Sequence, residues 1–106
     1  MRITKLDDMK HGCFVGNFKP NAFKTTACEA AYKEHRRGEY WAPHYHDRCT
    51  EINLLISGKM LMNGIEIRER EIFVLEPKEV AVPEFLEDCL LFVVRIPGAR
   101  KDKVLV

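Results

Sequence analysis

Two histidines in one short stretch of the sequence have the type and spacing of metal ligands. His44 and His46 are two residues apart in the segment GEYWAPHYHDRCTEINLLISG, which runs from Gly38 to Gly58. In a β-strand, side chains two positions apart project from the same face, with Cα atoms about 6.6–6.8 Å apart. Neutral imidazole is the commonest metal ligand among protein side chains. The two rings can therefore converge on one ion.

Glu51 can complete this set of ligands. A turn around Asp47–Thr50 would reverse the chain and bring the Glu51 carboxylate alongside the histidine strand. Two imidazoles and one carboxylate leave coordination positions open for water, oxygen or a bidentate substrate, as catalysis by a metal requires. The three residues predict a divalent transition metal as cofactor, and iron(II), manganese, nickel, copper and zinc all remain open.

The same residues also fit a surface without chemistry. Glu51 and Asn53 belong to the more polar face of the segment Thr50–Ser57, and a half-buried sheet turns such a face to solvent. In this alternative the two histidines are exposed strand residues. The opposite face of the segment is apolar and consists of Ile52, Leu54 and Ile56.

The elements that must position these side chains are short strands. From Cys13 onward the sequence has apolar or alternating runs separated by Gly, Pro and Asn, and few windows keep helical spacing for three turns. This pattern predicts an all-β sandwich or barrel. The predicted strands are Cys13–Phe18, Thr25–His35, Tyr40–Tyr45, Thr50–Ser57, Lys59–Met62, Ile65–Arg68, Glu71–Leu75, Val80–Val82 and Leu90–Ile96.

One segment is ambiguous and one turn is well specified. The segment Ala27–Arg37 (ACEAAYKEHRR) has residues of good helix propensity and alternates weakly, so a helix is the alternative to a strand there. Asn63-Gly64 favours a two-residue type I′ turn, because both positions of that turn need positive φ. It predicts a hairpin between Lys59–Met62 and Ile65–Arg68.

The last third of the sequence predicts a central strand and an edge strand. Leu90–Ile96 (LLFVVRI) has apolar residues on both faces, which is typical of a strand covered on each side. Pro97–Lys103 is predicted to be a polar turn. The apolar piece Val104–Val106 is predicted to pair along a sheet edge or with a second subunit.

Composition limits the class of protein. A chain of 106 residues with 46% apolar and 31% charged residues fits one domain that folds on its own. Seventeen basic and sixteen acidic residues give a formal charge of +1, which argues against a nucleic-acid partner. No stretch approaches the roughly 18–20 apolar residues that span a bilayer, and the start MRITKLDDMK lacks the apolar middle of a signal peptide. We therefore predict a cytoplasmic protein with no membrane partner.

The cysteines do not form a recognisable motif. Their spacing contains no CxxC pair, so it predicts neither a zinc knuckle nor a redox pair. In a reducing compartment each is expected to be a small buried apolar side chain. The four are Cys13, Cys28, Cys49 and Cys89.

The spacing around the histidine pair matches a known pattern. Gly38, His44, His46, Glu51 and Gly58 read G-x5-H-x-H-x4-E-x6-G, which resembles the first motif of the cupin superfamily. The resemblance implies a small jelly-roll barrel, a double-stranded β-helix, covering about residues 25–96 of a single domain 1–106. It further implies that the two histidines and the glutamate face inward and bind a divalent metal, usually in a homodimer.

The second motif of that superfamily, G-x5-P-x-G-x2-H-x3-N, contributes a fourth ligand, and here only Pro77 of it remains. With Pro77 aligned, Val82 stands at the histidine position, or Ala81 after a shift of one residue, and neither side chain can bind a metal. The sequence has no histidine after His46. The candidate replacements are Glu76, Glu84, Glu87 and Cys89.

A few other polar and aromatic residues are candidates for the pocket. Asn53 and Tyr40 are predicted to contact a small-molecule ligand, and Trp41 could wall the pocket, although large aromatic residues are more often packing. His35 and His11 lie outside the motif and are not predicted to belong to the site; His35 lies in the charged run Lys33–Arg37 and is predicted to belong to a solvated face.

Two functions follow from this set of residues, and a third is structural. The first is a metal-dependent enzyme, such as a dioxygenase or isomerase of a small polar molecule, although no general base is obvious beside the three ligands. The second is a non-catalytic module that binds a sugar, sugar nucleotide or small acid without metal, which the loss of the second motif favours. The third is an interaction domain that dimerises through apolar sheet faces.

Overall fold

The computed structural model describes residues 1–98 and 102–106, and their regular structure is almost entirely β. Within them no helix is long and apolar enough to cross a membrane. The predicted all-β class is confirmed. The described residues form one 3₁₀ turn, Leu6–Asp8, and the strands β1 (Cys13–Val15), β2 (Glu29–His35), β3 (His44–His46), β4 (Thr50–Ser57), β5 (Met60–Met62), β6 (Ile65–Ile67), β7 (Ile72–Leu75), β8 (Pro83–Phe85), β9 (Cys89–Ile96) and β10 (Lys103–Leu105).

The strands form three antiparallel sheets. The largest has five strands in the order β1-β2-β9-β4-β7, the second has the order β6-β5-β8, and β10 pairs with β3. Strand β9 lies between β2 and β4, which confirms the central position predicted from its apolar faces and is a non-consecutive order typical of jelly rolls. The core joins the two larger sheets, and its buried residues are Leu55, Met60, Phe85, Cys89, Leu91 and Val93.

The register of β4 decides which of its side chains face the interior. Glu51 lies opposite Arg95 of β9, and Asn53 and Leu55 follow on the same face because side chains alternate along a strand. Asn53 is only 3% exposed, and Leu55 is completely buried. The more polar face of β4 is therefore the interior face, and the alternative that turned it to solvent is wrong.

Among the described residues, the opposite face of the main sheet is covered on one half only. The amino-terminal residues Leu6 and Met9 share a cleft with Tyr32 of β2 and Phe92 of β9, so they lie over that half of the sheet. The other half carries exposed apolar side chains on β4 and β7. These are Ile56, Ile72 and Val74, with 40%, 64% and 47% of their surface exposed.

Local signals specified the hairpin and the edge strand correctly. Asn63 and Gly64 have φ values of 54° and 77°, and they join β5 to β6 with Met62 opposite Ile65, as a type I′ turn requires. The apolar tail predicted to pair along an edge does so within the chain, as β10 against β3. Of the polar turn predicted for Pro97–Lys103, residues 99–101 lie outside the described residues.

Three predictions about elements are corrected. The helix alternative for Ala27–Arg37 is wrong, because the segment contains strand β2, whose Ala30 and Ala31 are buried; such packing outweighs a weak helix propensity. The strand predicted over Tyr40–Tyr45 is replaced by β3, which starts only after Pro43, a residue without a backbone N–H donor.

The third correction concerns Val80–Val82, where the predicted strand is replaced by a single bridge at Ala81. The side chain of Asn63 accepts a hydrogen bond from the Val82 N–H at 2.8 Å and donates one to the Val80 carbonyl at 3.0 Å. These bonds take backbone groups that a strand ladder would use. The ladder of β8 therefore begins at Pro83, a position at the start of an edge strand that tolerates proline.

Candidate metal and ligand site

The structure places His46 in contact with both His44 and Glu51. The two imidazole rings lie edge to face with their centroids 5.7 Å apart. The Nε2 atom of His46 is 3.1 Å from Oε2 of Glu51. The chain reverses between β3 and β4, so the turn predicted around Asp47–Thr50 does bring the carboxylate beside the histidine strand.

Strand β3 is held on both edges, which fixes the direction of its side chains. On one edge it pairs with β10, where Lys103 lies opposite His46. On the other edge His44 and Ala81 exchange backbone hydrogen bonds of 3.2 and 2.7 Å. A three-residue strand with partners on both sides keeps alternating side chains on opposite faces, so both imidazoles stay on one face.

His44 has the protonation and orientation of a metal ligand. Its Nδ1 atom lies 2.9 Å from the carbonyl oxygen of Ala42, so Nδ1 carries the proton and donates, and Nε2 is the free ligand atom. Ligating histidines are commonly oriented by such a bond from the other ring nitrogen. Burial lowers the pKa of His44, although the bond to Ala42 opposes this, so the ring is neutral at pH 7.

Glu51 is an ionised carboxylate in a largely buried position. Burial by itself would raise the pKa of Glu51, but the hydrogen bond with His46 and the charge of Arg95 lower it to about 2. The Nε atom of Arg95 donates to Glu51 Oε2 at 2.9 Å, and its Nη1 atom is 3.8 Å from Glu29 Oε1. One guanidinium therefore serves two carboxylates on the interior face.

Two of the three candidate ligands border a partly open cavity of about 100 Å³. His44 and Glu51 line it directly, and His46 contacts both of them. Two buried side-chain nitrogens here, Nδ1 of His46 and Nδ2 of Asn53, have no hydrogen-bond partner within the described chain. The polar side chains of the lining are Lys33, His35, His44, Glu51, Asn53 and Arg95.

His35 also lines this cavity, and sequence reasoning missed it. Its Nδ1 atom is 2.5 Å from Glu39 Oε2, which also accepts a bond from Trp41 Nε1 at 2.6 Å. Burial raises the pKa of Glu39, but the bonds from His35 and Trp41 lower it overall, so Glu39 is ionised. The His35 ring stacks on Phe85 at 4.3 Å and its side chain is 12% exposed, so the predicted solvated face is wrong. Its alternation with buried Ala31 on β2 is the signal that could have located it.

The two aromatic candidates lie in different places. Trp41 lines both the interior cavity and a wider outer cleft of about 730 Å³, whereas Tyr40 lines only the outer cleft and is 80% exposed. Lys33 and His35 are also common to both linings, so with Trp41 they form the wall between the two spaces. The Nζ atom of Lys103 lies 4.5 Å from the centroid of the Trp41 ring. Burial lowers the pKa of Lys103, and the nearby Arg95 adds to this effect.

At the position of the second-motif histidine, the cavity is lined by the methyl side chain of Ala81. Ala81 is buried, lines the cavity and pairs with His44, whereas Val82 is exposed. Of the candidate replacements, Glu76, Glu84 and Glu87 are exposed to solvent. The Cys89 thiol hydrogen-bonds the carbonyl oxygens of Lys59 and Glu87.

A second grouping of possible ligands shares His46, and within the described residues its three ligand atoms approach one another more closely than those of His44, His46 and Glu51, which do not all lie within 4.8 Å. One ligand atom each from His46, Cys49 and Asp102 lie within 4.8 Å of one another. Asp102 accepts backbone N–H bonds of 3.0 Å from Arg48 and Cys49. Burial raises the pKa of the Cys49 thiol, and the bond to Asp102 adds to it, to about 12, so the thiol stays protonated. This grouping is a hydrogen-bonded turn that braces β3 against the segment before β10.

Comparison with solved structures identifies the architecture. The DMSP lyase DddQ from Ruegeria pomeroyi superposes with a TM-score of 0.72 at 16% identity, covering 89% of this chain and 50% of the lyase. A protein with a double-stranded β-helix domain from Klebsiella pneumoniae gives 0.71 at 19% identity, covering 99% and 91%. A cupin protein from Bacteroides fragilis gives 0.57 at 16% identity, covering 72% and 70%. The chain has the cupin fold.

The cupin fold agrees with the architecture expected from the motif, a small jelly-roll barrel. No protein-family model matches the chain. No curated protein matches it either. The chain spans about half the length of the DMSP lyase it resembles. At these identities the cupin-fold match describes the scaffold, and the chemistry must be argued from the cavity.

Proposed function

We propose that the chain binds a divalent transition metal, namely iron, manganese, nickel, copper or zinc, through His44, His46 and Glu51. The observation that carries the proposal is the position of His46, which contacts both the His44 ring and the ionised Glu51 carboxylate at the edge of a cavity that His44 and Glu51 line. This donor set suits transition metals and leaves coordination positions open.

The side chains around the cavity fit such an ion. His44 is neutral and oriented through Nδ1, which leaves Nε2 as its free ligand atom. His46 is mostly buried, and its Nδ1 atom lacks a hydrogen-bond partner in the described chain. Buried polar atoms are rarely left unpaired, and a bound ion would satisfy such a nitrogen. Ala81 provides no fourth donor, so water or substrate would complete the coordination.

We further propose that the site acts on a small polar molecule, as a dioxygenase or an isomerase. A bound divalent metal would polarise a substrate oxygen or activate a bound oxygen species. The His35–Glu39 pair supports catalysis, because an imidazole held by a carboxylate is a common proton acceptor and donor. His35 lines the cavity beside His44 and Glu51. A DMSP lyase with the same fold shows that this scaffold carries enzymes.

Metal analysis of the purified protein tests the proposal directly. Wild type is expected to bind close to one equivalent of a transition metal under reducing conditions, measured by plasma mass spectrometry after equilibrium dialysis. The double variant His44→Ala with His46→Ala is expected to lose it. His11→Asn is the matched control, because His11 is an exposed histidine away from the cavity. If wild type offered each of the five metals never approaches unit stoichiometry, the proposal is wrong.

One observation favours a second function, the binding of a sugar or a small acid without metal. Glu51 already accepts hydrogen bonds from His46 and Arg95, so its charge is balanced within the protein. A metal would have to displace part of this arrangement. Binding of small ligands that is unchanged by a chelator, together with absent metal, would establish this second function in place of the first.

We also propose that the chain forms a homodimer through the open half of its main sheet. Ile56, Ile72 and Val74 form an exposed apolar surface on β4 and β7. Contiguous apolar surface of this kind is typical of interfaces between subunits. The side chains on the other face of these strands line the cavity, so a dimer would stiffen the sheet that carries Glu51.

A further inference from the structure

The grouping of His46, Cys49 and Asp102 has the geometry of a metal site of its own. One ring nitrogen, the thiol sulfur and one carboxylate oxygen lie within 4.8 Å of one another. In a tetrahedral zinc site the ligand atoms are about 3.3–3.8 Å apart, because zinc–ligand bonds are about 2.0–2.3 Å long. Small shifts of the three side chains would therefore bring these atoms onto one ion.

The Asp102 carboxylate is held in place before any ion binds. It is 4% exposed and accepts backbone N–H bonds of 3.0 Å from Arg48 and Cys49. The Cys49 thiol is 1% exposed and hydrogen-bonds the same carboxylate. A metal ion deprotonates a thiol that coordinates it. An ion can therefore take the position of the proton that Cys49 and Asp102 share.

His46 is oriented as a ligand through its other ring nitrogen. Its Nε2 atom lies 3.1 Å from Oε2 of the ionised Glu51, and an ionised carboxylate only accepts, so Nε2 carries the hydrogen. The lone pair is then on Nδ1, which is buried and has no hydrogen-bond partner among the described residues. Ligating histidines commonly donate their other N–H to a carboxylate in this way. When Nδ1 binds an ion, Glu51 can keep its existing bonds.

The charges around the grouping suit a divalent cation. A Cys49 thiolate and the Asp102 carboxylate together balance a charge of +2. The Nε atom of Arg48 is 3.5 Å from Asp102 Oδ1, but the Arg48 side chain is 66% exposed and can turn to solvent. Arg95, the other cation nearby, is already paired with Glu29 and Glu51.

The ligand types select the metal. Thiolate ligands favour thiophilic ions, whereas manganese and magnesium prefer oxygen ligands. Zinc accepts sulfur, imidazole nitrogen and carboxylate oxygen in one tetrahedral site. The combination of His46, Cys49 and Asp102 is therefore typical of Zn²⁺.

We propose that His46, Cys49 and Asp102 form a zinc site, distinct from the set of His44, His46 and Glu51. Zinc bonds to the Cys49 sulfur while the thiol proton leaves to solvent, and water fills the fourth position. His46 has one unpaired nitrogen, so an ion in one site excludes an ion in the other. Zinc here would tie the end of β3 to the segment before β10 and add its binding free energy to the stability of the fold.

Cobalt titration tests the zinc site on the wild-type protein. Chelator-treated protein, kept reduced with a phosphine, is titrated with Co²⁺ as a spectroscopic substitute for Zn²⁺. A cobalt–thiolate bond gives an intense near-ultraviolet charge-transfer absorption that nitrogen and oxygen ligands do not give. This absorption is expected to saturate near one equivalent and to disappear when Zn²⁺ displaces Co²⁺. Its absence at saturating Co²⁺ would overturn the inference.

Variants assign the thiolate. Cys49→Ser is expected to abolish the absorption, because serine retains a hydrogen-bond donor for Asp102 but is not a thiolate. Cys89→Ser is the matched control, since Cys89 is equally buried, and its absorption should be unchanged. Asp102→Asn keeps the thiol, covers the case in which Cys49→Ser does not fold, and should weaken Co²⁺ binding roughly tenfold or more. Thiolate absorption in a folded Cys49→Ser protein, or unchanged Co²⁺ affinity in Asp102→Asn, would refute the inference.

The two metal proposals can fail separately, because His44 belongs only to the first set. His44→Ala is expected to keep the thiolate absorption. If Co²⁺ binds wild type without this absorption and His44→Ala abolishes the binding, only the zinc inference fails. If the absorption persists in His44→Ala and no metal binding depends on His44, only the first metal site fails. Loss of the absorption in a folded His44→Ala protein would place His44 on the same ion and overturn the assignment.

Discussion

His46 and Glu51 are in direct contact, with Nε2 of the imidazole 3.1 Å from Oε2 of the carboxylate. The same oxygen accepts the 2.9 Å bond from Arg95. Arg95 and His46 therefore both contact the same carboxylate oxygen of Glu51, Oε2. Any cation that binds Glu51 competes with the guanidinium.

We expect Arg95→Gln to lower the stability of the fold and to raise its affinity for a metal. Removing the guanidinium leaves Glu29 and Glu51 without a cation in a mostly buried position, which should lower the free energy of unfolding by about 3 kcal/mol. Metal affinity should rise, because a competing positive charge is gone. Urea unfolding with and without Zn²⁺ measures both effects. Weaker metal binding by a folded Arg95→Gln protein would contradict the expectation.

Asp102 should make a distinct contribution to acid stability. Burial raises the pKa of Asp102, but backbone N–H bonds from Arg48 and Cys49 lower it overall from the usual 3.8. Because the folded-state pKa lies below the unfolded one, the contribution is present above about pH 3.8 and is lost as the pH falls through the folded-state pKa. Asp102→Asn is expected to unfold about 1–3 kcal/mol more easily at pH 7.

The pH dependence of the Asp102 contribution is checked by measuring urea unfolding midpoints of wild type and Asp102→Asn between pH 2 and pH 6. The difference between wild type and Asp102→Asn should shrink as the pH falls below 3.8. A gap that stays constant down to pH 2 would show that the carboxylate charge does not act through these bonds. Asp47→Asn is the matched control, since the Asp47 side chain is half exposed.

The four cysteines should react in two classes. The structure contains them all as free thiols, with Cys49 and Cys89 buried and Cys13 and Cys28 partly exposed. Burial raises the pKa of Cys49 to about 12 and also raises that of Cys89. Iodoacetamide at pH 8 should therefore modify Cys13 and Cys28 first, since the thiolate is the reactive form. Peptide mass spectrometry over time reads the order, and early modification of Cys49 would contradict it.

Two glycines with positive φ should differ strongly in their tolerance of alanine. Gly64 has open space around the position of an added Cβ, so Gly64→Ala bears only the left-handed backbone strain, about 1–2 kcal/mol. At Gly58 the same atom would overlap the carbonyl oxygen of Asp88. Gly58→Ala should therefore lower the unfolding free energy at least twice as much. Similar urea midpoints for the two variants would count against the close approach at Gly58.

The proposed dimer gives a prediction for Val74. Replacing it with lysine places a charge on the open apolar half of the main sheet, so Val74→Lys is expected to sediment as a monomer where wild type sediments as a dimer. Ile65→Lys is the matched control, because Ile65 is even more exposed than Val74 but lies on β6, in another sheet. Dissociation by both variants alike would argue against this surface.

The sequence predicted what depends on neighbours along the chain. Asn63-Gly64 specified its hairpin because both residues accept positive φ. The limits of β4 match those predicted for Thr50–Ser57, where polar and apolar residues alternate as far as Leu54. The contacts of His46 with His44 and with Glu51 agree with strand periodicity and one short turn, and the metal site that they were predicted to form stays a prediction.

What sequence reasoning missed depends on pairing over long distances. His35 turned out to line the cavity because β2 pairs with β9, a register that nothing near His35 encodes. Asp102 accepts backbone bonds from residues more than fifty positions earlier. The Asn63 side chain hydrogen-bonds backbone groups of Val80 and Val82 and so replaces the strand predicted there. Strand propensities describe single residues and do not include such a contact.

Strand β3 pairs over all three of its residues with β10, which lies 57 or more positions later in the chain. Contacts of such long range form slowly, because the intervening chain must first lose its freedom. During translation, the imidazole pair would thus acquire its final spacing only after Lys103–Leu105 leaves the ribosome. The geometry of the proposed metal site would therefore be completed late in synthesis, and a nascent chain halted before that point would carry both histidines without a rigid site.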